Sequence, residues 1–140
     1  MKIRTVVALS IVVVVAALWA PAGFSENKQD KNKLRNQKNC ESCDLSNSDL
    51  NGAILKGAKA SKSNFSGAGL YRADLSGGDY TDANFNGAKL QGANLNGTKL
   101  NRANFNGADL KGAKLGPLGL KGAVTTGTTT CPDGKKGPCK

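Results

Sequence analysis

From Cys43 to Leu120 a bulky apolar residue returns at every fifth position almost without a break. The residue two places before each is small, most often Ala (Ala53, Ala58, Ala68, Ala73), with Cys43, Ser48, Ser63, Gly78 and Thr98 as substitutes. The residue directly before it is usually Asp or Asn, and the one two places after it is usually Gly. A helix cannot use this pattern, because residues five apart advance about 140° and the apolar positions would cover every face. A strand can, since residues two apart share one side. The small and the bulky residue then point inward, the polar residue between them points out, and Gly supplies the corner. Repeats too short to bury their own apolar side must stack into a common core.

A second period of 20 residues aligns identities better than the first. Leu45, Phe65, Phe85 and Phe105 form one column. Leu50, Leu70, Leu90 and Leu110 form a second, and Leu55, Leu75, Leu95 and Leu115 a third. Ala60, Tyr80, Leu100 and Leu120 form the fourth. The first three columns are the expected core ladder of a coil in which like stacks on like. Asn64, Asn84 and Asn104 are expected to form an Asn ladder on its outside.

The run Ala83-Asn84-Phe85-Asn86-Gly87, Ala93-Asn94-Leu95-Asn96-Gly97, Ala103-Asn104-Phe105-Asn106-Gly107 resembles the pentapeptide repeat family. The resemblance covers roughly residues 43–122 and implies an all-β fold over residues 40–122, a right-handed quadrilateral β-helix of about four coils at four five-residue units per coil. The chain departs from the pattern at Ile54, Ala60, Gly69 and Pro117. Those departures predict an exposed apolar residue, a poorly filled stretch of core and a frayed last coil.

The flanks change the picture. Residues 1–25 read as a signal peptide: Lys2 and Arg4 precede an apolar run from Thr5 to Trp19, too short for a comfortable membrane span. Cleavage is expected after Ala22 or after Ser25, and an uncleaved N-terminal membrane anchor is the alternative. Residues 26–39 are almost wholly polar, a linker or a short helix lying over the first coil with Leu34 as its apolar contact. Residues 123–140 are a tail. An export signal with four cysteines favours disulfides. Of three pairings, the local ones, Cys40 with Cys43 and Cys131 with Cys139, are favoured, since bridged Cα atoms lie within about 7 Å and the rod separates the two pairs. The second pair would close a loop in the tail. Cys40-x-x-Cys43 also has zinc-like spacing, but a second such pair and any histidine are missing.

The formal net charge is +10, and about +8 remains once Lys2 and Arg4 are removed. Catalysis has no support: there is no histidine, the acids alternate with lysines on outward positions, and the glycines recur as corners. The chain is therefore expected to be no enzyme and to carry no cofactor or metal. In the fourth face, Lys59, Asp79 and Lys99 form one charge column and Lys62, Asp82 and Arg102 another, each alternating in sign. Such columns favour correct register, and they are also the candidate protein-interaction face.

Some pentapeptide relatives mimic duplex DNA and bind type II topoisomerases, which makes topoisomerase binding the alternative function. The positive charge and the signal both oppose it. The expected role is a secreted or periplasmic structural or protein-interaction module. Its partner would be a protein or an anionic envelope surface; nucleic acid and small-molecule substrates are not expected, and a homodimer is allowed.

Overall fold

The computed structural model describes residues 24–139. All but the last two residues of the expected signal segment fall outside that range, the candidate cleavage site after Ala22 among them. The described residues begin with helix α1 (Phe24–Gln37) and then wind into stacked coils. Parallel bridges join residues 20 apart, or 21 at the final step from Asp109 to Thr130, in four columns: Asn39–Lys59–Asp79–Lys99, Asp44–Asn64–Asn84–Asn104–Val124, Asp49–Gly69–Lys89–Asp109–Thr130 and Ile54–Asp74–Asn94–Lys114. Among the described residues only β1 (Asn94–Leu95) and β2 (Lys114–Leu115) pair over two residues. Each side is too short for more, because a corner follows every fifth residue. The product is a repeat β-helix.

Its hydrogen bonding is regular. The Asp74 amide donates to the Ala53 carbonyl (2.9 Å), and the Leu55 amide donates back to the Asp74 carbonyl (2.7 Å). The small residue also donates to the preceding bulky one, as from Ala58 to the Leu55 carbonyl (3.0 Å). The polar residue closes the corner: Asp74 Oδ1 accepts the Ser76 amide (3.0 Å), and Asn84 Oδ1 accepts the Asn86 amide (3.1 Å). A short side chain with an acceptor three bonds from the Cα suits this turn, hence Asp or Asn.

The apolar columns fill the interior. Leu45, Leu50, Leu55, Phe65, Leu70, Leu75, Phe85, Leu90, Leu95, Phe105 and Leu110 are buried. Leu115, in the last level, differs from the expectation: it is only partly buried, since no coil lies above it. Phe65, Phe85 and Phe105 stack face to face with centroids 4.8 Å apart at both steps, the spacing of neighbouring strands. In the fourth column the largest bulky residue, Tyr80, follows the smallest, Ala60, and both are wholly buried. Tyr80 lies edge-on to Phe65 and tilted to Phe85, each at 5.8 Å. Gly78 makes room for it, because a methyl there would come within 2.5 Å of Tyr80 Cε2. Ile54 is exposed.

Both ends are finished by other parts of the chain. Leu34 of α1 is fully buried against the first coil. Asp30 of α1 accepts the Asp44 amide (2.8 Å), and Lys38 donates to the Ile54 carbonyl, so two edge groups of the first coil are satisfied. The tail joins the stack rather than trailing from it. After Pro117 the chain leaves the Lys99 column and turns through Gly116–Lys121. It returns at Val124 and then slips: Thr130 bridges Asp109 at a separation of 21. Through this one extra residue Thr129 takes the small inward place, wholly buried with its hydroxyl on the Phe105 carbonyl (2.8 Å). Cys131 takes the bulky place above Leu110.

Candidate interaction face

The charged columns sit on one side and its adjoining corner. Lys59, Asp79 and Lys99, with Glu41, Gly57 and Gly77, line a shallow groove of about 410 Å³. Lys99 Nζ lies 3.8 Å from Asp79. At the corner Arg102 grips Asp82 with two parallel bonds, Nε to Oδ1 at 2.6 Å and Nη2 to Oδ2 at 2.7 Å, the geometry that suits a guanidinium to a carboxylate. Lys59 and Lys62 add favourable charge to Asp79 and Asp82 respectively.

The carboxyls here are held below the usual carboxylate range. For Asp79 the first cause is the Thr81 amide and hydroxyl bonded to it, then the Lys99 and Lys59 charges. For Asp82 it is the bond from Arg102, reinforced by the Arg102 and Lys62 charges. Both stay ionised at neutral pH, so the face presents fixed, alternating charge.

The corner carries a backbone feature as well. Ser42, Lys62, Asp82 and Arg102 all have positive φ, between 56° and 59°. The other three corners mostly place Gly at that position, where the left-handed region carries no Cβ penalty. One edge of the rod therefore keeps a side chain on every coil from 42 to 102 against a backbone cost. Strain of this kind concentrates where side chains are used. Its signal was in the sequence, as the absence of Gly two places after Ala60, Tyr80 and Leu100. Glu41, by contrast, carries no periodic mark and joins the groove only through the first turn.

On the next side the amides interlock. Asn64 Nδ2 donates to Asp44 (3.3 Å), Asn84 to Asn64 (3.3 Å) and Asn104 to Asn84 (3.5 Å), so the Asn ladder is present. Gly69 breaks its own column for a local reason. The Asn51 side chain leans over it from the coil below and accepts the Tyr71 amide (2.9 Å), the bond that residue 69 would otherwise make. A Cβ at 69 would stand 3.0 Å from the Asn51 oxygen.

The cysteine sulfurs are joined in two local disulfides, Cys40–Cys43 and Cys131–Cys139, each with Cα atoms 5.4 Å apart. Asp30 has a carboxylate oxygen within 4.8 Å of the first pair, but sulfurs bonded to each other offer no thiolate to a metal.

The groove is shallow, and the coil interior behind it is closed by packed side chains. Charge and edge geometry, rather than a cleft, are what this surface offers.

Comparison with known proteins places this architecture. A family model for pentapeptide repeats matches in eight copies over residues 39–77 and 81–116, more than half of the chain. A solved pentapeptide repeat protein, Rfr23 from the cyanobacterium Cyanothece 51142, shares 25% identity over 73% of this chain and 97% of its own, with a TM-score of 0.51. HetL from Nostoc sp. strain PCC 7120, a pentapeptide repeat protein involved in heterocyst differentiation regulation, shares 32% identity over 70% of this chain. The chain spans 42% of HetL, and the TM-score is 0.40. QnrB1, a plasmid-mediated fluoroquinolone resistance protein, shares 19% identity over 69% of this chain and 65% of its own, with a TM-score of 0.33. No curated protein matches the chain at a significant level. With the five-residue unit, the 20-residue bridges and the family match in agreement, the chain belongs to the pentapeptide repeat family.

Proposed function

We propose that this protein is a non-enzymatic module of the cell envelope or its surroundings, a right-handed four-sided coil of about four turns that binds a protein or an anionic surface. The observation that carries the reading is the closed section of the rod. Every fifth-position residue from Leu45 to Leu110 is buried, and the bridges run unbroken between coils, so the described residues have an exterior to offer and no chamber for a reaction. Two features support an extracytoplasmic setting: the apolar run behind Lys2 and Arg4, and cysteines consumed in disulfides at each end of the stack. The alternating charges, Lys59, Asp79 and Lys99 on one side and Lys62, Asp82 and Arg102 on its strained corner, are the interaction face.

Fractionation of cells expressing a C-terminally tagged copy tests the location. A shortened product in the envelope or outside the cell, with thiols that react only after reduction, is expected. A full-length product confined to the cytosol would defeat the proposal.

A further inference from the structure

We infer that the C-terminal end of the rod is a ledge that receives an extended peptide segment of another protein, of the form small, acidic, bulky apolar. The inference deepens the interaction-module reading by giving it a second site and a partner chemistry. It starts from an asymmetry between the ends. At the first coil, Lys38 and Asp30 satisfy edge groups. At the last, two columns continue into Val124 and Thr130, whereas the Ile54 column stops at Lys114.

Lower in that column the bonding is invariant. The upper polar residue donates to the lower small residue, as from Lys114 to the Ala93 carbonyl (2.8 Å), and the lower bulky residue donates upward, as from Leu75 to the Asn94 carbonyl (2.9 Å). Among the described residues, the Ala113 carbonyl and the Leu115 amide have no such partner. They are spaced to accept one more strand in parallel. An edge of this kind gives affinity through main-chain bonds, and pockets for alternate side chains give selectivity.

The pocket is present. Beside the edge lies a groove of about 530 Å³ lined by Leu115, Pro117, Leu118 and Leu120, and walled by Cys139 of the tail disulfide. Leu118 is 68% exposed. Pro117 fits this place because its missing N–H would otherwise point at a further coil. Register then dictates the guest. Its bulky residue stacks on Leu115, its small residue lies over Ala113, and the residue between them faces the exposed Lys114. An acid there repeats the alternation seen where Asp79 lies between Lys59 and Lys99.

A test uses a fluorescein-labelled peptide RADLSGG, the sequence of residues 72–78, which carries the required triplet. Its binding to the oxidised protein is followed by fluorescence anisotropy. Saturable one-to-one binding is expected, weakened about tenfold or more when Lys replaces the peptide's Asp. Lys114→Glu should invert that preference, and because Lys114 is exposed this variant keeps its circular dichroism. Absence of saturable binding, or an order unchanged by Lys114→Glu, overturns the inference. Sedimentation decides the remaining occupant: a monomer supports a foreign segment, and a dimer that the peptide dissolves assigns the ledge to a second copy and overturns it. Protein that reaches the envelope yet ignores the peptide sinks the ledge alone and leaves the location standing.

Discussion

Replacing Tyr80 by Phe should make this protein more stable. Tyr80 is wholly buried, and its hydroxyl has no hydrogen-bond partner. Burial accordingly pushes its phenol far above the ordinary range, with the Asp74 charge adding to the effect, so the group stays neutral. A buried hydroxyl without a partner costs about 1–3 kcal/mol relative to water. Phe keeps the ring, its edge contact with Phe65 and its fit over Gly78. What it loses is the packing of one oxygen atom, at most about 0.5–1 kcal/mol. The net expectation is a gain of about 1–2 kcal/mol, a sizeable part of the roughly 5–15 kcal/mol that holds a domain folded. Urea unfolding followed by far-ultraviolet circular dichroism reads it as a higher midpoint at unchanged slope. In a thermal scan the same gain is worth about 4–8 °C per kcal/mol for a domain of this size. A Tyr80→Phe protein that is less stable by about 1 kcal/mol would refute the reasoning, because the hydroxyl would then have a partner and the ring a different pose.

Other outcomes follow from neighbouring features. Phe85→Ala removes the middle ring of the stack, both 4.8 Å contacts and a large buried volume; a loss of about 3–5 kcal/mol is expected in the same urea assay, and a loss below 1 kcal/mol would contradict the stacked column. Lys62→Gly relieves a residue at φ 59° and should raise stability by about 0.5–1 kcal/mol while weakening capture of a partner by the charged face, read as a paired melt and pull-down. Acid should destabilise the coil: Asp44, Asp74 and Asp79 have lowered folded-state pKa values, chiefly through bonds from Ser46, Ser76 and Thr81. Their contribution is complete above the ordinary carboxylate pKa of about 4 and fades as pH falls through the lower folded values, so the melting temperature should hold from pH 7 to about 5 and drop toward pH 2. Reduction of Cys131–Cys139 opens a loop of eight residues' separation and should cost about 2–3 kcal/mol locally, with faster amide exchange at Thr129 and Thr130 than at Asn64 or Asn84.

How much of this could be read from the chain depends on whether a residue obeys the period. The Phe column, the Asn ladder and the exposed Ile54 follow from spacing alone, because stacking converts a distance along the chain into a distance in space. The place of α1 over the first coil was legible through one residue, Leu34, in an otherwise polar stretch. Where period fails, so does the reading. Asn51 supplying a corner bond for Gly69 is an exchange between coils with no trace in either unit alone. Thr129 and Cys131 stand one residue out of phase, so that neither looks like a core residue when the units are aligned. The strained corner at Lys62, Asp82 and Arg102 was visible as missing glycines, but its cost is apparent only from the backbone angle.

Beyond Cys131 the chain folds back on itself, Thr130 pairing with Lys136 and Cys131 with Cys139, so a repeat appended there would meet a closed roof rather than an open coil. Duplications can lengthen the tower only from within, by copying a whole floor below Gly116, while the roof travels upward unchanged.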